Sequence, residues 1–176
     1  KMKDYKKAYR EVLSDNFPDD MTISFGEQKL QYKKRKWEFN GEDIGLRYGD
    51  NPGQETALYE LIGGNLKLGG CEFINADDGL ISNMGKEELL ETGKRLGKSN
   101  LSDVDAALNI LKYFDETTAV IVKHSNPSGV ASRDSIKAAY VEANFADRIA
   151  AFGGVLVVNR KIDKATAEEV VKNYLE

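Results

Sequence analysis

Cysteine and histidine are each present only once in this sequence of 176 residues, as Cys71 and His124. An intrachain disulfide, a cysteine-rich zinc site and any mechanism that needs two histidines in one chain are therefore excluded. No run of eighteen apolar residues occurs, which excludes a transmembrane helix. The first residues also lack the apolar segment of a secretory signal. We expect a cytoplasmic protein with no bound metal and no membrane partner.

The overall composition indicates a globular protein with an uneven charge distribution along the chain. Apolar residues make up 41%, charged residues 31%, and the net charge is −4. That apolar share is enough to form a core. The first forty residues carry a net charge of +3 and the rest −7. This shift, with a polar turn at residues 40–43, predicts an N-terminal segment over residues 1–45 and a main body over residues 46–176.

Apolar spacing predicts the secondary structure of both parts. In the N-terminal segment it predicts a helix over residues 3–17 and two strands between residues 21 and 39, joined by a turn at Gly26-Glu27-Gln28. In the body it predicts helices over 86–96, 103–114, 134–145 and 164–174, buried strands over 118–122 and 154–158, a short strand or helix at 57–62 and a possible strand at 71–74. Alternation of helices and strands favours an α/β layered fold.

The helix over 103–114 has an expected apolar face formed by Val104, Ala107, Leu108 and Leu111. Ser102 or Asp103 is the candidate N-cap of this helix, and Asp134 is the candidate N-cap of the next one.

Three segments carry residues suited to chemistry. Residues 123–129 combine a lysine, the single histidine, hydroxyls and an amide directly after a buried strand, where ligands of α/β sheets gather. Histidine is a favoured general acid–base, although this loop could simply leave the core. Residues 47–54 place an arginine and a tyrosine beside a turn that could hold a phosphate or could be an ordinary surface turn. The glycines of residues 151–154 would admit a ligand close to the backbone, or serve packing.

The remaining motifs favour structural roles. Residues 33–36 form the only basic run and lie on a predicted strand. We interpret this run as a solvated, lysine-protected sheet edge, so no nucleic-acid partner is expected. Cys71 is interpreted as a small core residue rather than a nucleophile.

Four segments resemble, in order, the signatures of one enzyme family. They are residues 46–54 (LRYGDNPGQ), 102–108 (SDVDAAL), 120–130 (VIVKHSNPSGV) and 151–154 (AFGG). The family is the purine-biosynthetic formyltransferase that acts on aminoimidazole carboxamide ribotide (AICAR), usually the C-terminal part of bifunctional PurH proteins. The resemblance covers the first half of that domain.

The resemblance implies a three-layer α/β/α subdomain like that of cytidine deaminases, with a mixed sheet and without the deaminase zinc. It implies transfer of a formyl group from 10-formyltetrahydrofolate to the 5-amino group of AICAR. His124 would be the general base, and Lys123 would stabilise the oxyanion or protonate the leaving nitrogen. The substrate-binding residues it implies are Arg47, Tyr48, Gly49, Asn126, Phe152 and Gly153. The implied partner is a second copy of the chain or a chain that carries the second half.

The sequence departs from the family pattern in places. Gly53 replaces a signature histidine and Ser128 a cysteine. Residues 1–45 and 66–98 have no counterpart in the resemblance. A diverged nucleotide-phosphate-binding module, or an inactive part that needs another chain, is the alternative interpretation.

Overall fold

A computed structural model gives the fold. It describes residues 15–39, 41–65, 67–68, 71–72, 81 and 96–176. The predicted helices over 3–17 and 86–96 lie almost wholly outside these residues. One compact unit ends at Lys98, and a second comprises Ser99–Glu176. The domain boundary expected after residue 45 stays a prediction.

The first unit is built on a three-stranded antiparallel sheet. Its strands are β1 (Asp20–Phe25), β2 (Gln28–Lys34) and β5 (Tyr59–Gly64), with β2 in the centre. The predicted pair of strands around Gly26 is confirmed by the register Phe25↔Gln28, but Gln28 belongs to β2 rather than to the turn, and the second strand ends at Lys34. Short antiparallel pairs are formed by β3 (Trp37–Phe39) with β4 (Glu42–Ile44) and by β6 (Lys67–Leu68) with β7 (Cys71–Glu72).

The basic run does not form a sheet edge, which corrects the expectation above. Strand β2 is the central strand of its sheet. Lys34 is buried, and its Nζ lies 3.0 Å from Asp15 Oδ1 and 3.2 Å from Asp19 Oδ1. Burial by itself lowers the pKa of Lys34, but the hydrogen bonds to the two aspartates outweigh it and leave that pKa above its ordinary value. Arg35 pairs with Glu60, so acidic neighbours partly neutralise the run.

The second unit is a three-stranded antiparallel sheet with helices on both faces. Its elements are α1 (Lys98–Leu111, beginning at the last residue of the first unit), β8 (Thr118–Lys123), β9 (Asn126–Ser132), α2 (Ile136–Ala146), α3 (Arg148–Ala151), β10 (Val155–Val158) and α4 (Lys164–Val170). The strand order is β10-β8-β9. The predicted α/β class is confirmed.

Alternation along β8 divides the core between the two faces. Ala119 and Ile121 pack with the buried face of α2 and with Ala151 at the end of α3. Val120 and Val122 pack on Ala107 and Leu111 of α1. All four β8 residues are fully buried, so both faces of this strand are covered, as its continuous apolar run predicts.

The predicted mixed sheet is not found, because every strand pair among the described residues is antiparallel. The loop predicted at residues 126–129 is instead the start of β9. A hairpin therefore follows β8, and the helical crossover connects β9 to β10 rather than β8 to β10.

The predicted N-caps of two helices are wrong, because both helices begin at other residues than expected. Helix α1 begins at Lys98, so Ser102 and Asp103 lie inside it and cannot cap it. The N-cap of α2 is Ser135 rather than Asp134, since the Ser135 hydroxyl accepts a hydrogen bond from the Ala138 amide. Leu108, expected on the apolar face of α1, is 43% exposed. Asp103 is buried on that helix.

Candidate functional site

A two-residue turn joins β8 to β9 and presents the single histidine. Lys123 pairs with Asn126, which leaves His124 and Ser125 as the central residues of the turn. Their φ angles are 53° and 62°, so both lie in the left-handed region. Positive φ at both positions is the mark of a type I′ turn, which strongly prefers Asn-Gly. His124 and Ser125 are both exposed, and no group among the described residues hydrogen-bonds to the imidazole.

Lys123 lies on the same face of β8 as Ala119 and Ile121. Its Nζ donates a hydrogen bond of 2.7 Å to the carbonyl oxygen of Phe152. This contact supplies the partner that a half-buried lysine at the end of a core strand needs. Lysine has three N–H donors, so donors remain for a ligand.

Antiparallel pairing brings residues 152–154 to the same end of the sheet as Lys123. Val155 at the start of β10 pairs with Val122 near the end of β8. In a parallel sheet the start of β10 would lie at the opposite end. Gly153 has a φ of 72° and its amide donates to the Tyr174 carbonyl at 2.7 Å. Phe152 is 63% exposed, and its ring lies 5.5 Å from that of Tyr174.

The glycine pair is explained by conformation and packing. Gly153 adopts a left-handed conformation that L side chains rarely adopt. A Cβ on Gly154 would lie 2.9 Å from the Val122 carbonyl oxygen. Packing is therefore sufficient to account for Gly154.

Two polar side chains of β9 fix the far side of the hairpin. Asn126 Nδ2 donates to the His124 carbonyl at 2.9 Å. Ser128 Oγ donates to the Ile121 carbonyl at 3.2 Å, next to the irregular register between Ile121 and Val122. Ser128, which replaces a family cysteine, therefore stabilises the hairpin through this hydrogen bond.

Asp103 is the residue of this site that sequence reasoning missed. Its carboxylate accepts hydrogen bonds from the backbone amides of His124 and Ser125. The available signal was an aspartate one helical turn before Ala107 and two before Leu111, on the apolar stripe of α1.

Arg47 and Tyr48 form a separate pair in the first unit. Arg47 Nη2 donates to the Tyr48 hydroxyl at 3.0 Å, and the guanidinium lies 4.4 Å from the ring centroid of Tyr48. The Arg47 Nε is buried and has no hydrogen-bond partner within the described ranges. No carboxylate of those ranges lies within ion-pair distance of Arg47, so its charge is not neutralised by them.

The turn after this pair is closed by its own hydrogen bonds. The Gly49 amide donates to the Gln54 carbonyl at 3.0 Å, and the Asn51 amide donates to Gln54 Oε1 at 2.8 Å. Asp50 forms a 2.7 Å ion pair with Lys98. Gly53 has a φ of 85°, so this position is strained for any side chain.

The predicted site residues thus fall into two groups, each within one unit. Lys123, His124, Asn126, Phe152 and Gly153 meet at one end of the second sheet. Arg47, Tyr48 and Gly49 are consecutive in the first unit. In the part of the chain that the structure describes, no three His, Cys, Asp or Glu side chains are grouped to hold a metal. None of the described helices is long and apolar enough to cross a membrane.

Comparison with known proteins decides the family. The model of the AICARFT/IMPCHase bienzyme family matches residues 2–176. This chain belongs to that family. The match begins at residue 2, so residues 2–45 and 66–98 lie within it, although the resemblance gave them no counterpart.

Curated relatives carry the name bifunctional purine biosynthesis protein PurH. The one from Acetivibrio thermocellus is 37% identical over 171 residues, which is 97% of this chain and 27% of the relative. Those from Caldicellulosiruptor saccharolyticus and Sorangium cellulosum are each 42% identical, over 131 and 134 residues, or 74% of this chain. The chain spans about a quarter of the length of these AICARFT/IMPCHase relatives.

Proposed function

We propose that this chain carries part of an AICAR formyltransferase site of purine biosynthesis. The observation that carries the proposal is the left-handed turn that presents His124 beside Lys123, in a chain of the AICARFT/IMPCHase family. The formyl donor is 10-formyltetrahydrofolate, and the acceptor is the 5-amino group of AICAR. The subdomain has the cytidine-deaminase-like fold, and the protein acts in the cytoplasm.

The acceptor amine requires a base. Its lone pair is delocalised into the imidazole and carboxamide of AICAR, so it attacks a carbonyl poorly unless a proton is removed during attack. The His124 imidazole is exposed and has no hydrogen-bond partner among the described residues, so its nitrogen can accept that proton. The new bond joins the amine nitrogen to the formyl carbon.

Lys123 acts on the formyl donor. The formyl oxygen becomes an oxyanion when the amine attacks, and the leaving folate nitrogen needs a proton when its bond to the formyl carbon breaks. The Lys123 ammonium stabilises the oxyanion or supplies that proton. Its hydrogen bond to the Phe152 carbonyl holds the ammonium in place. Asn126, Phe152 and Gly153 contact the nucleotide at this end of the sheet.

Arg47, Tyr48 and Gly49 bind the nucleotide, with the guanidinium on its phosphate. The buried Nε without a partner and the absence of a neutralising carboxylate among the described residues support this role. A second copy of the chain, or a chain with the remaining part of the domain, completes the site.

Arg47→Ala is therefore expected to weaken AICAR binding about 10- to 100-fold, the range for loss of a charged hydrogen-bonded contact. Isothermal calorimetry with AICAR, with and without 10-formyltetrahydrofolate, measures the dissociation constant. Arg133→Ala is the matched control, because Arg133 is exposed and paired with Glu142. Equal affinity of the Arg47 variant and the wild type would remove the phosphate-holding role.

A nucleotide-binding module without this chemistry is the second candidate. Gly53, which replaces a signature histidine, favours it, because glycine brings no side chain to the ligand. Saturable AICAR binding without formyl transfer would identify this second function.

A further inference from the structure

The turn that carries His124 is costly to form. Two consecutive residues other than glycine hold left-handed backbone angles, which side chains on L-amino acids disfavour because the Cβ crowds the backbone. A free hairpin with His-Ser at these positions would relax to another conformation. Other contacts must therefore stabilise the turn.

Asp103 supplies those contacts. Its Oδ1 accepts the Ser125 amide at 2.6 Å and its Oδ2 accepts the His124 amide at 3.3 Å. One carboxylate thus receives the amides of both left-handed residues, as an anion does in a backbone nest.

The carboxylate itself is buried, with Asp103 only 6% exposed. A buried carboxylate is costly unless it is hydrogen-bonded or paired. No lysine or arginine of the described residues forms an ion pair with Asp103, so the two turn amides are its compensation there. The carboxylate stabilises the left-handed turn, and the amides of the turn compensate for burial of the carboxylate.

Helix packing sets the position of this carboxylate. Ala107 and Leu111 anchor α1 on Val120 and Val122 of β8. Asp103 lies one helical turn before Ala107, and its carboxylate reaches the carboxyl end of β8. The Asn126 side chain bonds the His124 carbonyl, so both backbone polar groups of His124 are held.

We infer that Asp103 is a positioning residue that holds the His124 turn in its left-handed form and so directs the imidazole at the reacting amine. The directing role rests on the proposed function, whereas the holding role does not. The site therefore includes a residue on the buried side of α1 as well as the turn.

Asp103→Asn tests the holding role by amide hydrogen exchange. Asparagine keeps the size of the side chain but offers one acceptor oxygen in place of two, and it is neutral. Protection of the His124 and Ser125 amides should fall about tenfold or more. Labelling with ¹⁵N-histidine isolates the His124 amide, since the chain has a single histidine. The matched control is Asp105→Asn, an exposed aspartate of the same helix that should leave both amides unchanged.

Ser125→Gly distinguishes a role in the turn from a role in helix stability. Glycine adopts the left-handed conformation without strain. In the Asp103→Asn background it should restore the His124 resonance towards its wild-type position, and should recover turnover lowered about tenfold by Asp103→Asn. If Asp103→Asn does not fold alone, the same exchange comparison is made between Ser125→Gly and the double variant.

Unchanged protection of both amides in Asp103→Asn would overturn the inference. Lost protection without rescue by Ser125→Gly would overturn it too, because the carboxylate would then stabilise something other than the turn. The exchange result does not depend on catalysis, so failure of the proposed formyl transfer would leave the holding role intact. Conversely, turnover that needs His124 but is unaffected by Asp103→Asn would overturn only the directing role.

Discussion

His124→Ala is expected to lower formyl transfer to AICAR about 100-fold or more, the range that a general base contributes. The variant loses the nitrogen that accepts the amine proton, while AICAR affinity should change little because Arg47 holds the phosphate. Turnover is measured with the complete encoded protein, since this chain spans about a quarter of its relatives.

Alanine at this position also disturbs the turn, so a second variant is needed. Asparagine tolerates the left-handed region better than most residues but cannot act as a base at neutral pH. His124→Asn should therefore keep the hairpin and lose turnover to the same degree as His124→Ala. Wild-type turnover in the asparagine variant would remove His124 from the chemistry and leave it a role in the turn.

Gly129→Ala is expected to destabilise the second unit by about 3 kcal/mol, the upper part of the usual range for overpacking. A Cβ at Gly129 would lie 1.9 Å from the carbonyl oxygen of Ala143 and 2.7 Å from its carbonyl carbon. Both are backbone atoms of α2, so the helix or β9 must move. The free energy of unfolding is measured by urea titration followed by circular dichroism.

Gly63→Ala is the matched control for this substitution. Gly63 also lies in a strand, but its added Cβ would meet only the Gln31 side-chain oxygen at 3.5 Å, an ordinary contact. The control should cost about 1 kcal/mol or less. Equal unfolding free energies for the two variants would show that α2 and β9 are not packed as closely as described.

Local signals predicted the strongly patterned elements. The buried run that became β8 and the two strands around Gly26 form where apolar spacing places them. The three predicted helices of the second unit were harder to bound, because caps compete over a few residues, as Ser135 and Asp134 do, and the short helix α3 was not predicted. Strand β9 was missed since Pro127, Ser128 and Gly129 have the composition of a loop.

Contacts between distant residues could not be predicted in the same way. The meeting of Lys123 with Phe152 depends on the antiparallel direction of β10, which its four residues do not encode. The link from Asp103 to the His124 turn depends on the helix register over β8. Family resemblance gave roles to the lysine and the histidine and included Asp103 in a signature segment, but the contact of Asp103 with the turn emerged only from the three-dimensional arrangement.

Formyl transfer itself is the most direct test of the central claim. The complete encoded protein would be mixed with AICAR and 10-formyltetrahydrofolate, and formylated AICAR followed by mass spectrometry over many turnovers. We predict catalytic formation of formylated AICAR that falls about 100-fold in His124→Asn. A protein that binds AICAR with its hairpin intact, yet forms no formylated product, would contradict this prediction.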